Sequence, residues 1–294
     1  MSMLAEILSP TFLLHEALVA SVLVGLVCPL VGGYFVLRRM IFLGVALPQV
    51  SAAGIAFSFL AYKLVVGPHE QLGVSERVLA TVGAFAFTLA ATLVLALFEA
   101  GGRETVETRI GTTYAVAAAA TILFLAKDPH GDAQMVSLLK GDILATTATS
   151  LSWMTQVLGA VALALLVFRR ELLLVSFDRD LAVVFGKRAA LWDLVLYLLI
   201  GIVISLGVMT AGPMATFGFL VIPPVTVRWL APNMLSFLLG SAAFGGATAL
   251  GGFYCAYRFD LPLGPAEVAL ASTGMLVVGT VVGLQRTIAR WRVA

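Results

Sequence analysis

The feature that most constrains this chain is a recurrence of apolar stretches, each about as long as a bilayer is thick. A spanning helix needs about 20 mainly apolar residues, because the hydrocarbon core is about 30 Å across. Nine stretches meet that need: 13–37, 44–66, 78–98, 110–126, 151–168, 189–209, 213–231, 234–256 and 265–285. Short polar connections join them, so no length is left over for an independent soluble domain. Composition agrees: 61% of residues are hydrophobic, 12% are charged, and mean hydropathy is +1.04. Soluble domains carry about 25% charged residues, so a soluble fold of this composition would lack the polar surface to cover itself. The expected fold is therefore an all-α polytopic membrane protein of eight or nine helices, forming one domain over residues 1–294. The count is a range because 213–231 carries Pro213, Pro223 and Pro224. That segment is expected to be broken or re-entrant, as backbone interrupted in this way must be resatisfied by neighbouring protein.

Charge placement orients the spans. With the Arg38–Arg39 turn in the cytoplasm, alternation puts Arg38, Arg39, Arg103, Arg109, Arg169, Arg170, Arg179, Lys187, Arg188, Arg228, Arg286, Arg290 and Arg292 inside. Lys63, Arg77, Lys127, Lys140 and Arg258 fall outside, thirteen against five. The positive-inside rule favours this arrangement. It predicts a cytoplasmic C-terminus and, for nine crossings, an external N-terminus. The first fourteen residues lack the basic region of a cleavable signal peptide.

Several function classes are disfavoured. No GxxxxGK[ST] phosphate loop is present, so any ATP hydrolysis belongs to another chain. No basic cluster is dense enough for nucleic acid. Cys28 and Cys255 both sit in apolar segments, where the expectation is small packed residues and no disulfide framework. An intramembrane enzyme would need a nucleophile and base, or metal ligands, within the spans. The three histidines, His15, His69 and His130, lie at a span start or in loops, without ligand spacing. An ion-coupled secondary transporter would call for acidic groups or broken-helix sites near mid-membrane. The acidic residues nearest the spans, Glu16, Asp142, Asp193 and Glu267, lie near predicted span ends, where residues can face water and burial costs little.

The segment RRELLLVSFDRDLAVVFGKR, 169–188, is different in kind. Phe177, Leu181, Val184 and Phe185 recur at helical spacing beside Asp178, Arg179 and Asp180, which predicts a short amphipathic helix. Gly186 suits its C-cap, with Lys187 and Arg188 near the negative end of the dipole. Two uses fit such an element: docking into a groove on a cytoplasmic partner, or lying in the membrane interface.

Five segments resemble the zinc/manganese/iron ABC permease family, in order, over roughly 15–285. RRMIFLGVALPQVSAAGIA (38–56) is similar to that family's second-span signature, and LKGDILATT (139–147) to its L-x-G-D-I-L-A segment. FDRDLAVVFG (177–186) resembles its coupling segment. GVMTAGPMATFGFLVIPPVTVRWLA (207–231) and DLPLGPAEV (260–268) resemble its later membrane stretch and the loop before its last span. The resemblance implies a permease subunit that is not itself an enzyme and forms a dimer, a homodimer being expected. It implies two ATPase subunits docking on Phe177, Asp178, Arg179, Asp180, Leu181 and Gly186. It also implies an extracytoplasmic solute-binding protein, uptake across the bacterial cytoplasmic membrane, and ATP and magnesium held only by the ATPase partner.

The chain departs from the family at the second span. There the family carries an Asp and a His, good ligands for zinc, manganese and iron; the matching positions here are Val45 and Gln49. Gln49 offers a carbonyl oxygen and Val45 offers nothing. The candidate substrate pathway is Gln49, Ser51, Val45, Asp142, Met209 and Met214, with Cys28 as a further sulfur donor suited to a softer ion; no metal site is assigned. Three readings stay open. The ion passes with weaker coordination, the substrate is a metal chelate or other small solute, or a partner chain in a heterodimer supplies the ligands.

Overall fold

The computed structural model describes residues 12, 14–66, 76–99, 106–127 and 146–291. Among them are ten helices: α1 (His15–Arg38), α2 (Leu43–Val66), α3 (Glu76–Glu99), α4 (Val106–Ala126), α5 (Ala148–Val167), α6 (Arg169–Phe177), α7 (Arg179–Val184), α8 (Ala189–Val227), α9 (Met234–Phe259) and α10 (Leu263–Trp291). All except α6 and α7 are long and apolar enough to cross a bilayer, eight in number. The expectation of an all-α polytopic protein is met.

The helix ends follow from local chemistry. α1 closes at Arg39, which adopts a left-handed backbone (φ 60°), and Met40 N–H donates back to the Phe35 carbonyl at 3.0 Å. This Schellman-type closure turns Met40 into the core, where it is 5% exposed. α9 starts on a capping box: Asn233 accepts from Ser236 N–H, and the Ser236 hydroxyl accepts from Asn233 N–H.

Tight packing needs small residues, because lipid supplies no hydrophobic drive between helices. Gly25 of α1 meets Gly245 of α9 backbone to backbone, and Gly54 of α2 meets Gly83 of α3 in the same way. A side chain at any of the four would strike a carbonyl. α1 and α8 form the centre. α1 packs on α8, α9 and α5, and α8 also touches α2, α3 and α10. Tyr34, Phe35, Leu47, Ile200, Ile204 and Phe219 are fully buried there. By contrast α3, α4 and α10 turn apolar side chains outward, among them Val82, Leu97, Val116, Leu123, Leu276 and Leu284. Such a surface suits lipid or another subunit.

α8 is not straight. Gly212 has φ 85° and ψ 165°, and the chain kinks there before Pro213 begins a second arm. In a straight helix Gly207 and Thr216 would lie about 13 Å apart along the axis. Here a β-carbon on Gly207 would stand 2.8 Å from the Thr216 methyl, so the arms fold toward each other. The expectation of a broken stretch with separate segments at 189–209 and 213–231 is met: α8 consists of two helical arms, and the break falls at the glycine ahead of the prolines.

The ring of Phe12 meets that of Tyr257 edge-on at 5.2 Å, joining the start of α1 to the end of α9. At the opposite end of α1, residues from five elements converge, and the candidate site begins there.

Candidate functional site

The segment after α5 is expected to be one short amphipathic helix. The structure divides it in two. Asp178 is extended (φ −151°, ψ 100°), separates α6 from α7, and accepts a hydrogen bond from Leu181 N–H at 2.9 Å. Phe177 therefore ends the first helix while Leu181 and Val184 lie on the second. The physical reason is the aspartate itself, a strong N-cap that competes with helix continuation. The predicted C-cap is present: Gly186 has φ 73°, and Lys187 N–H donates to the Ala182 carbonyl at 3.0 Å. Arg179 is half-buried and Asp180 exposed.

The apolar residues of this segment do not pack inward. Phe177, Leu181, Val183, Val184 and Phe185 are all exposed, Val184 by 81%. Ala182 alone anchors α7, in a small cluster with Val175 and Ala189. A ridge of five exposed apolar side chains carried between charged ones is a surface suited to a partner.

Behind the ridge lies an ion network. Asp193, one turn into α8, is 4% exposed. Its Oδ1 pairs with Arg38 Nη2 at 2.7 Å and its Oδ2 with Arg179 Nε at 3.5 Å. Arg38 Nε donates to Ser176 Oγ at 3.0 Å, and Ser176 Oγ donates to the Leu172 carbonyl at 2.6 Å. One turn further along α8, the Tyr197 hydroxyl donates to Met40 Sδ at 3.5 Å. Arg38, Arg39, Glu107, Ser176, Arg179 and Asp193 all line a cavity of about 440 Å³. Asp193 lies near the end of its span, as expected, but is not turned to water. It is buried because Arg38, the last residue of α1, reaches it at the same depth. The available signal was a carboxylate one turn inside an apolar span, with arginines at the matching end of another.

The mid-span positions give a different picture. Val45 and Gln49 are half-buried on one face of α2. Gln49 Nε2 approaches Thr121 Oγ1 of α4 at 3.5 Å, a long contact, while that hydroxyl donates to the Ala117 carbonyl at 2.8 Å. Ser51 is fully buried. Met209 lines a second cavity of about 410 Å³ with Val78, Thr81, Trp153 and Met154, between α3, α5 and α8. Neither Val45, Gln49 nor Ser51 lines that cavity. Met214 is 54% exposed and Cys28 is buried in the main core. The candidate pathway residues are therefore not gathered at one point. Asp142, His69 and His130 lie outside the described residues. No group of three or more His, Cys, Asp or Glu side chains is placed to hold a metal ion among the described residues.

Glu267 is a second buried residue near a span end. It is fully buried and accepts a hydrogen bond from the Ser21 hydroxyl of α1. It is covered because α9 offers Gly252 against its backbone and side chain, so α10 sits close enough to exclude solvent.

The pattern that defines the ABC 3 transport family matches residues 11–282. The chain is similar to the manganese transport system membrane protein MntC of Listeria innocua, 26% identical over 88% of this chain and 87% of that protein. It is similar to the manganese import system permease protein ScaB of Streptococcus gordonii, at 25% identity over 94% of each. In structure it resembles PsaBC from Streptococcus pneumoniae, solved in complex with Fab, with a TM-score of 0.77, 24% identity and 94% of each chain covered. A match across nearly all its length, on an all-helical membrane fold, identifies the chain as a member of the ABC 3 transport family: a metal-type ABC transporter permease subunit, not an enzyme.

Proposed function

We propose that this chain forms the transmembrane pathway of an ATP-driven importer for a divalent metal ion of the zinc, manganese and iron class, and that manganese is its cargo. The observation that carries this reading is the exposed ridge on α6–α7, mounted on a buried ion network at the arginine-rich end of the bundle. The names of the relatives support manganese. The ridge is the docking face for the ATPase subunits, which hold ATP and magnesium; this chain binds no cofactor of its own. The arginine-rich end faces the cytoplasm, and the C-terminus with it. An extracytoplasmic binding protein delivers the ion to the opposite end. A second copy of the chain, through the outward apolar faces, completes a homodimeric pathway in the bacterial cytoplasmic membrane.

Val45 and Gln49 favour weak, transient coordination, in which a carbonyl oxygen at Gln49 and residual water replace the carboxylate–imidazole pair. The same two residues favour a second reading, a metal chelate whose ligands travel with the ion. Radioisotope uptake of manganese, zinc and iron in cells with and without this chain tests the first reading. Manganese uptake that depends on the chain is expected. Equal uptake of all three ions in both strains overturns it and favours the chelate.

A further inference from the structure

A docking segment transmits force only if something stiff joins it to the spans. α7 has six residues, and its apolar anchor is the single buried Ala182. Phe177, Leu181, Val183, Val184 and Phe185 are exposed and lie outside the buried core. The polar link from α7 to the bundle is Arg179, and it runs to Asp193.

Asp193 is unusual in what it joins. One carboxylate receives the end of α1 through Arg38 on Oδ1 and the start of α7 through Arg179 on Oδ2, while sitting on α8. Through Arg38 the network also reaches α6 at Ser176. The two arms differ in character. Arg38 and Asp193 have side chains 7% and 6% exposed and stand at 2.7 Å. Arg179 is 41% exposed and stands at 3.5 Å. The nearer, more buried pair attracts more strongly, whereas the longer, more exposed one is weakened by solvent. α8 is also the helix that touches α1, α2, α3, α5, α9 and α10 and kinks at Gly212. A displacement entering at Asp193 therefore reaches most of the bundle.

We infer that Asp193 is the transmission residue of this permease: it is the fixed end of the Arg38–Asp193 strut and the receiver for Arg179, through which motion of the docked segment is passed to α1 and α8. It is a positioning residue, acting through the helices and not on the transported ion. The inference rests on the ATP-driven reading above, since it needs a partner that pushes on the ridge.

The test uses the intact complex purified from membranes with its copurifying ATPase and reconstituted into liposomes. Ion uptake and ATP hydrolysis are measured on the same preparation, with manganese as the probe. Asp193→Asn removes the charge and keeps the shape; Arg179→Gln breaks only the exposed arm; the double variant closes a cycle. The expected result for Asp193→Asn is a drop of about tenfold in ions moved per ATP, the scale of an ordinary intersite coupling. The ATPase stays bound and continues to hydrolyse ATP. Arg179→Gln shows a smaller drop in the same ratio. The double variant is no worse than Asp193→Asn alone, because both act on one linkage.

Unchanged transport per ATP in both single variants overturns the inference. So does an Asp193→Asn protein that loses uptake and ATP hydrolysis in equal proportion, or fails to fold, while Arg179→Gln behaves as the parent; Asp193 then serves only stability. If the parent chain itself brings down no ATPase, the ATP-driven reading fails first, and this inference falls with it.

Discussion

Gly212→Ala is the substitution whose effect the structure constrains most tightly. At φ 85° and ψ 165° the backbone lies in a region essentially reserved for glycine, where a β-carbon costs on the order of 1–3 kcal/mol. Relaxation is blocked on both sides. Pro213 restricts the preceding residue to extended backbone with negative φ, and moving Gly212 there would swing the second arm of α8 away from Gly207. Gly159 supplies the opposite case. It sits within α5, its β-carbon would meet nothing within 4 Å, and its backbone is not left-handed. Alanine there should stabilise by about 0.5–1 kcal/mol through helix propensity alone. The same change, Gly to Ala, should therefore differ in sign at the two positions, with a gap of about 1.5–4 kcal/mol from the sum of those ranges. Graded SDS unfolding of the purified protein, followed by tryptophan fluorescence, reads the difference. The reasoning is refuted if Gly212→Ala unfolds with or after the parent, or if Gly159→Ala falls alongside it.

Three further outcomes are expected. Asp178→Ala removes the acceptor for Leu181 N–H and should destabilise α7 by about 1 kcal/mol, read as faster proteolysis between α6 and α8 with the spans intact. Val184→Glu and Phe185→Glu place charge on side chains already 81% and 66% exposed; melting should be unchanged while ATPase copurification is lost, and retention of the ATPase by both would remove the ridge from consideration. Val45→Asp combined with Gln49→His installs a carboxylate and an imidazole one helical turn apart on a half-buried face. The paired variant should retain manganese or zinc after desalting where the parent does not, measured by metal analysis of the purified protein.

Much of the architecture is legible in the chain because bilayer thickness is an external ruler. The spans read from hydropathy reappear as helices with ends shifted by a few residues, and Gly186 ends α7 where its lack of a β-carbon suggests. Periodicity misled at 177–185. Apolar residues at helical spacing cross Asp178 without interruption, yet its carboxylate caps a new helix and divides the pattern. The apolar side chains there are turned outward and not to this chain's own core.

The ionisable residues divide most clearly between what sequence and tertiary structure decide. Sequence alone determines that the chain is built of membrane-spanning segments and which end collects arginine. Those are properties of single segments measured against a fixed solvent. That Asp193 is buried, shared between Arg38 and Arg179, and that Glu267 is closed off against Ser21, was decided by tertiary packing. The Arg38–Asp193 and Ser21–Glu267 contacts depend on the depth and rotation of one helix relative to another more than a hundred residues away in the chain. No local pattern encodes that relation; it follows from which glycines let the helices approach and from where Gly212 bends α8.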